Sequence, residues 1–175
     1  MSQTVEYFES IFYDDYYPRT VWARAGERRI VYWTDQSPTI NGKSSSNLSG
    51  DEFQIALSAF SDWDKELDSV QFVYTSFYLT ADISVGWTNL ENSNWGYWTS
   101  SWRDNVRYTG TLELNKNLRG SSFSLSIDKN LKHTLLHEIG NLLGLGDISR
   151  SSNISSVLTD PFIVTGDDAW QLYSA

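Results

Sequence analysis

The sequence contains no cysteine and only two histidines, His133 and His137. Without cysteine the chain can form no disulfide, no thiolate-ligated zinc site and no thiol nucleophile. The two histidines lie four residues apart, a spacing that puts side chains on one face of a helix. Metal chemistry in this chain, if there is any, therefore centres on one short segment.

Basic residues are outnumbered, with 13 Lys and Arg against 22 Asp and Glu and a formal net charge of −9. A chain this acidic binds nucleic acids and anionic membranes poorly, and cations or basic peptides are better partners. No stretch is apolar over a length that spans a membrane, and Met1–Asp15 lacks the basic and apolar order of a signal peptide. We therefore expect no nucleic-acid partner and no membrane span. The protein is either intracellular or has an export segment that lies elsewhere or was removed.

Aromatic residues are abundant, with eight Trp, ten Tyr and eight Phe among 175 residues. A chain of this length is most simply one domain and can bury a core without disulfides. Aromatic side chains supply both core volume and contact surface. Residues 1–27 are aromatic but irregular, and we expect them to form an N-terminal arm packed on a single domain of residues 28–175.

Runs of β-forming residues alternate with helical patterns in an order typical of α+β domains. Polar and Gly- or Ser-rich stretches predict loops over 34–50 and 88–108. The second loop contains three tryptophans, which either pack the loop onto the sheet, as we favour, or form a substrate wall: Trp95, Trp98 and Trp102. Strands are predicted over 28–33, 70–75, 81–87 and 109–115.

Two longer helices and one short helix are predicted. Apolar residues at helical spacing indicate a helix over 51–67, which begins at a capping box formed by Ser49 and Glu52. A second helix starts at Ser126 or Asp128, ends near residue 143, and has a core face formed by Leu131, Leu135, Ile139 and Leu142. A short final helix begins near residue 165.

The second helix carries His137 and Glu138, followed by Asn141. Metal-activating helices have the pattern His-Glu-x-x-His, because residues four apart share one face and can hold one ion. The glutamate then acts as general base on a metal-bound water. Here Asn141 replaces the second histidine, Gly144 permits a sharp turn, and Asp147 arrives ten residues after His137, where a third ligand is needed.

With these residues the chain resembles the metzincin zinc metallopeptidases, nearest in pattern to the matrixin, serralysin and snapalysin-like groups. The family motif is HExxHxxGxxH, with a variant that ends in aspartate, and His137, Glu138, Gly144 and Asp147 match that variant. The resemblance implies zinc held by His137, Asn141 and Asp147, with Glu138 as general base. It also implies a twisted mixed sheet of about four to five strands, a backing helix and an active-site helix in an upper part, 28–143. A small lower part, 144–175, would end in a helix.

Flanking segments extend the resemblance over roughly residues 28–173. The sequence GTLELN resembles the strand before the active-site helix, and Ser156–Pro161 resembles the Met-turn beneath the metal, with Leu158 in place of methionine. The Ala-Asp-Ile sequence at 81–83 resembles the substrate-side edge strand. By that likeness, an extended peptide or protein substrate would pair by strand addition with Ala81, Asp82, Ile83, Ser84 and Val85.

Asn141 and Leu158 depart from the family pattern. An amide oxygen is a weak, neutral ligand for zinc, which favours imidazole or thiolate. Loss of an outer-shell partner already costs about 10–100-fold in metal affinity or activity, so loss of a ligand costs at least as much. We therefore expect zinc to bind weakly or not at all, whereas Leu158 preserves an apolar floor.

His133 admits two interpretations. The favoured one is that it lines the substrate cleft or points to solvent, and the alternative is a two-histidine metal clip with His137. The aspartates lack the spacing of a calcium-binding loop. No calcium site is predicted, although one built from distant loops stays open.

Three functions are compatible with these residues. The first is a zinc endopeptidase whose activity is impaired or lost through Asn141. The second is a non-catalytic relative that binds a peptide or protein partner in the former cleft. The third is an ordinary protease in which position 141 has been altered. The resemblance implies export, because family members are mostly exported, although no signal peptide is visible.

Overall fold

The computed structural model describes residues 29–67, 70–91, 94–103, 106–119 and 127–143. They form a mixed α+β architecture, as expected. The helices are α1 Gly50–Glu66 and α2 Ile127–Leu142. The strands are β1 Arg29–Thr34, β2 Thr39–Ile40, β3 Lys43–Ser44, β4 Val70–Tyr74, β5 Ile83–Thr88, β6 Gly96–Arg103 and β7 Val106–Asn115. The predicted arm, the lower part with Gly144, Asp147 and Leu158, and the final helix lie outside the described residues.

Five strands form one mixed sheet in the order β4-β1-β5-β7-β6. The first four run parallel, and β6 pairs antiparallel with β7. α1 packs against β4 and α2, and α2 packs against β6 and β7. The expectation of a mixed sheet of four to five strands with two helices is thereby confirmed.

The core lies between the sheet and the helices. Along β1 the side chains alternate, so that Val31 and Trp33 are buried while Ile30 and Tyr32 are exposed. Trp33 stacks on Phe60 of α1 at 4.3 Å between ring centroids. All four residues expected on the core face of α2 are buried, which confirms its orientation: Leu131, Leu135, Ile139 and Leu142.

The start of α1 is fixed by the predicted capping box. Glu52 Oε2 accepts a hydrogen bond from the Ser49 backbone N–H at 2.6 Å. The same carboxylate receives Arg119 Nη2 at 2.7 Å and Trp87 Nε1 at 3.2 Å. Burial alone would raise the pKa of Glu52, but the hydrogen bonds from Arg119 and Ser49 hold it below its usual value. The helix start is therefore tied both to β5 and to the segment after β7.

Two predicted loops contain strands, which is a correction. Within 88–108, residues of β6 pair with β7 and form a hairpin, and Trp98 packs against the core. The serines of β6 obscure the alternation, so pairing rather than apolar periodicity defines this strand. Within 34–50, β2 and β3 form a short hairpin whose turn residues Asn41 and Gly42 have φ of 50° and 75°, as tight hairpin turns require.

Candidate metal and substrate site

Helix α2 is held firmly against α1 and the sheet. Trp63 Nε1 of α1 donates to the Leu136 carbonyl at 3.0 Å, and Lys132 Nζ pairs with Asp62 at 2.7 Å. Burial alone would raise the pKa of Asp62, but hydrogen bonds from Lys132 and Lys65 lower it below its ordinary value. These contacts fix the face of α2 on which the candidate site residues lie.

The structure brings His137 and Asn141 together. Their side chains are each 6% exposed, and Asn141 Nδ2 lies 3.1 Å from His137 Nε2. The two atoms lie within hydrogen-bonding distance, and the direction of the bond depends on the tautomer of the ring. The contact engages Nε2, which is one of the two positions where imidazole binds a metal.

Glu138 lies against the start of β6. A Cβ atom added to Gly96 would stand 2.8 Å from both Cγ and Oε1 of Glu138, and 2.8 Å from Cγ2 of Thr134. Only glycine lets the β6 backbone approach the helix this closely. Glu138 is 6% exposed. Its carboxylate is therefore positioned between α2 and the outermost antiparallel strand.

His133 is 4% exposed, so the suggestion that it points to solvent is wrong. It lies on α2 one turn before His137, and its ring is buried. Whether it lines a cleft or belongs to a metal clip stays a prediction. Thr134, next to it, is also buried, and its hydroxyl has no hydrogen-bond partner among the residues that the structure describes.

The described residues do not by themselves contain a complete set of zinc ligands. Across the described ranges, no group of three or more His, Asp or Glu side chains is placed to hold a metal ion. Zinc in catalytic sites has three protein ligands, whereas α2 supplies the imidazoles of His133 and His137, and Nε2 of His137 lies 3.1 Å from the Asn141 amide nitrogen. Asp147, the third predicted ligand, lies outside the described residues.

The expectation that 81–85 lies on an edge strand is wrong. β5 lies inside the sheet, between β1 and β7. Asp82 N donates to the Tyr32 carbonyl and the Asp82 carbonyl accepts from Gly110 N, each at 2.7 Å. Ile83 and Val85 are fully buried in the core, and Ser84 pairs with Thr34 and Thr111. Ala81 precedes this strand, and Ile83 and Ser84 already pair with both β1 and β7, which leaves those two residues no open edge for an added substrate strand.

The two outermost strands of the described sheet differ in what contacts their outer edges. On β4, the Phe72 backbone N–H donates to Asp64 Oδ1 of α1 at 3.1 Å, which caps that edge with a carboxylate. Within the described part of the chain, β6 is the outermost strand at the other side, and it contacts α2. An edge capped by a charged side chain resists pairing with another strand, so β6 is the better candidate for peptide addition.

A buried polar cluster on the opposite face of the sheet was not foreseen. Glu113 of β7 is 1% exposed and accepts from Asn41 Nδ2 at 2.7 Å, Lys43 Nζ at 2.9 Å and Thr88 Oγ1 at 2.7 Å. Burial alone would raise the pKa of Glu113, but these hydrogen bonds hold it below its ordinary value. The cluster fastens the β2–β3 hairpin to the sheet. The sequence GTLELN alone does not predict this polar cluster.

Neither a scan of the sequence against models of protein families nor a search of curated proteins finds a match. No α-helix of the described ranges is long and apolar enough to cross a membrane.

Proposed function

We propose that this chain is a metzincin-like peptidase domain in which Asn141 has replaced a metal ligand, so that zinc-dependent peptide hydrolysis is impaired or lost. The supporting observation is the contact of Asn141 Nδ2 with His137 Nε2 at 3.1 Å. In the proposed ancestral site, both side chains on this face of α2 would hold one ion. Here the two side chains contact each other instead.

The retained residues support descent from a peptidase. Glu138 is buried at the interface of α2 and β6, close enough to make an added Gly96 Cβ collide with its carboxylate. In the proposed parent activity, zinc supplies an activated water when bound, and Glu138 takes the proton of that water on its carboxylate. The hydrogen-bonded pair on α2 disfavours that chemistry in the present chain.

A second candidate function is peptide binding without cleavage. The arrangement of the sheet edges favours it, because β6 is outermost and adjoins α2, whereas β4 is capped by Asp64. An extended peptide paired with β6 would gain affinity from main-chain hydrogen bonds and selectivity from alternate side chains. A net charge of −9 favours a basic peptide.

Metal content and proteolysis of the purified protein test the proposal. We expect substoichiometric zinc, even after incubation with zinc salts, and no chelator-sensitive cleavage of an unfolded protein substrate. Near-stoichiometric zinc together with such cleavage would refute the loss of function. Glu138→Gln is the matched control, because it removes the general base without removing a proposed ligand.

Binding without cleavage is tested with an immobilised library of extended basic peptides. Saturable binding that is weakened at least tenfold by Trp98→Pro, which interrupts β6 pairing, supports the second candidate. Gln71→Pro in the capped β4 edge is the comparison variant. Equal loss with both variants would point to unfolding, and circular dichroism of each variant detects it.

A further inference from the structure

Asn41 and Gly42 form the tight turn between β2 and β3, and both are exposed. Their φ angles are 50° and 75°, and the sequence contains no other Asn-Gly pair. Asparagine is a chemically labile residue. When glycine follows it, no Cβ hinders the approach of the next backbone nitrogen to the side-chain amide. The turn is therefore the position at which the chemistry of the chain most favours deamidation.

The side-chain amide of Asn41 is held by partners on two strands of the sheet. Nδ2 donates to Glu113 Oε1 at 2.7 Å and to Thr111 Oγ1 at 3.0 Å. Oδ1 accepts from Thr99 Oγ1 at 3.2 Å. Glu113 is in turn fixed by Lys43 Nζ at 2.9 Å. Any reorientation of the amide breaks these hydrogen bonds, and loss of its nitrogen removes both donations from Nδ2.

We propose that Asn41 is a deamidation site whose reaction is restrained by the polar cluster around Glu113, and that its conversion to aspartate releases the β2–β3 hairpin from the sheet. In the reaction, the backbone nitrogen of Gly42 gives up its proton and forms a bond to Cγ of Asn41. The bond from Cγ to Nδ2 breaks, and this nitrogen leaves with the proton as ammonia. Water then opens the cyclic imide to an aspartyl or isoaspartyl residue.

The product places a carboxylate where the cluster needs a hydrogen-bond donor. An oxygen in place of Nδ2 would lie about 2.7 Å from Glu113 Oε1 and repel it. Since Glu113 is 1% exposed, water screens this repulsion poorly. Aspartate tolerates the left-handed backbone of position 41 as asparagine does, so the attachment of the hairpin is weakened and not its turn. Because ammonia is lost, released hairpin accumulates as the protein ages.

Peptide mapping by mass spectrometry after incubation at pH 8 measures the restraint. The protection is the deamidation rate at Asn41 in urea divided by the rate in the native chain. We expect a protection of at least about tenfold, because the native reaction follows the population of locally opened hairpin. Lys43→Met should lower it about fivefold by loosening Glu113, whereas Lys65→Met, on α1, should leave it unchanged. Equal native and unfolded rates, or equal protection in Lys43→Met and wild type, would overturn the restraint.

Hydrogen exchange at pH 7 measures the release. The Ser45 backbone N–H donates to the Pro38 carbonyl at 3.0 Å and reports on the hairpin. We expect Asn41→Asp to accelerate exchange at Ser45 about tenfold and to leave α1 unchanged. Adding Glu113→Gln should restore most of the protection, because it removes the repulsion. Unchanged exchange at Ser45, an equal acceleration in α1, or no recovery with Glu113→Gln would each overturn the proposed release.

Discussion

Position 141 shows how a single side chain changes the chemistry of a helix face. Histidine at this position would offer a lone pair to a metal shared with His137, whereas the amide nitrogen of Asn141 contacts His137 Nε2 at 3.1 Å. The proposed loss of the metal site concerns the ligands on α2 and not the fold, so we expect one substitution to reverse it.

Gly96 is a second residue at which one atom decides the geometry. We expect Gly96→Ala to lower the free energy of unfolding by about 1–3 kcal/mol, as overpacking does, because the new Cβ would meet Glu138 and Thr134 at 2.8 Å. Gly50→Ala is the matched control, since a Cβ there has open space and should be neutral or slightly stabilising. Urea titration measures both. Equal effects of the two variants would contradict the close packing of β6 on α2.

At the scale of elements, the β2–β3 hairpin depends on a buried carboxylate. We expect Lys43→Met to cost about 1 kcal/mol at neutral pH, because it removes a charged donor from Glu113, with the 42% exposure of Lys43 limiting the effect. Lys65→Met is the matched control, since Lys65 pairs with the more exposed Asp62 and Lys132 also serves that carboxylate. Chemical unfolding at pH 7 compares the two variants.

The cost of Lys43→Met should depend on pH. The pKa of Glu113 is lowered below its usual 4.5, so its stabilising contribution is present above that value and is lost as the pH falls through the folded-state pKa. The difference between wild type and Lys43→Met should accordingly shrink in acid. A difference that grows as the pH falls would show that the Lys43–Glu113 pair is not what fastens the hairpin.

Local sequence predicted the helices well and the strands unevenly. α1 and α2 follow from apolar spacing and capping residues, which are properties of neighbouring positions. β6 is defined by its pairing with β7, as Thr99 opposite Thr111 shows, because its serines hide the alternation. The β2–β3 hairpin pairs Ile40 with Lys43, and its Asn-Gly turn is a local signal that the sequence did contain. The position of β5 inside the sheet was also misjudged, because edge or centre is decided by pairing and not by residue type.

The candidate site was predictable in its members but not in its contacts. The motif identified His137, Glu138 and Asn141 as neighbours, and α2 places them together in the folded chain. The sequence could not show that Asn141 Nδ2 contacts His137 Nε2, nor that Gly96 packs on Glu138. Both depend on side-chain orientation and on the approach of β6, which only the assembled sheet determines.

At the scale of the whole molecule, both helices and the five-stranded sheet share one core. Phe60 is 2% exposed and stacks on Trp33, so we expect Phe60→Ala to destabilise the protein by about 3–5 kcal/mol. Since the core is continuous, the far-ultraviolet and tryptophan-fluorescence transitions should shift together. Tyr97→Ser, on the exposed face, is the control and should have a small effect. Separate transitions in the Phe60 variant would contradict a single core.

The most direct test of the central claim is to compare the zinc affinity of Asn141→His with that of the wild-type chain. Competition with a chelating dye measures both affinities. Far-ultraviolet circular dichroism first establishes that both proteins are folded. Replacing His133 by alanine in the Asn141→His chain separates the proposed site from a clip formed by the two natural histidines. We predict that Asn141→His binds zinc at least about tenfold more tightly than the wild type, with or without His133. An affinity that does not change on Asn141→His would contradict the account, because α2 would then never have carried a metal site at this face.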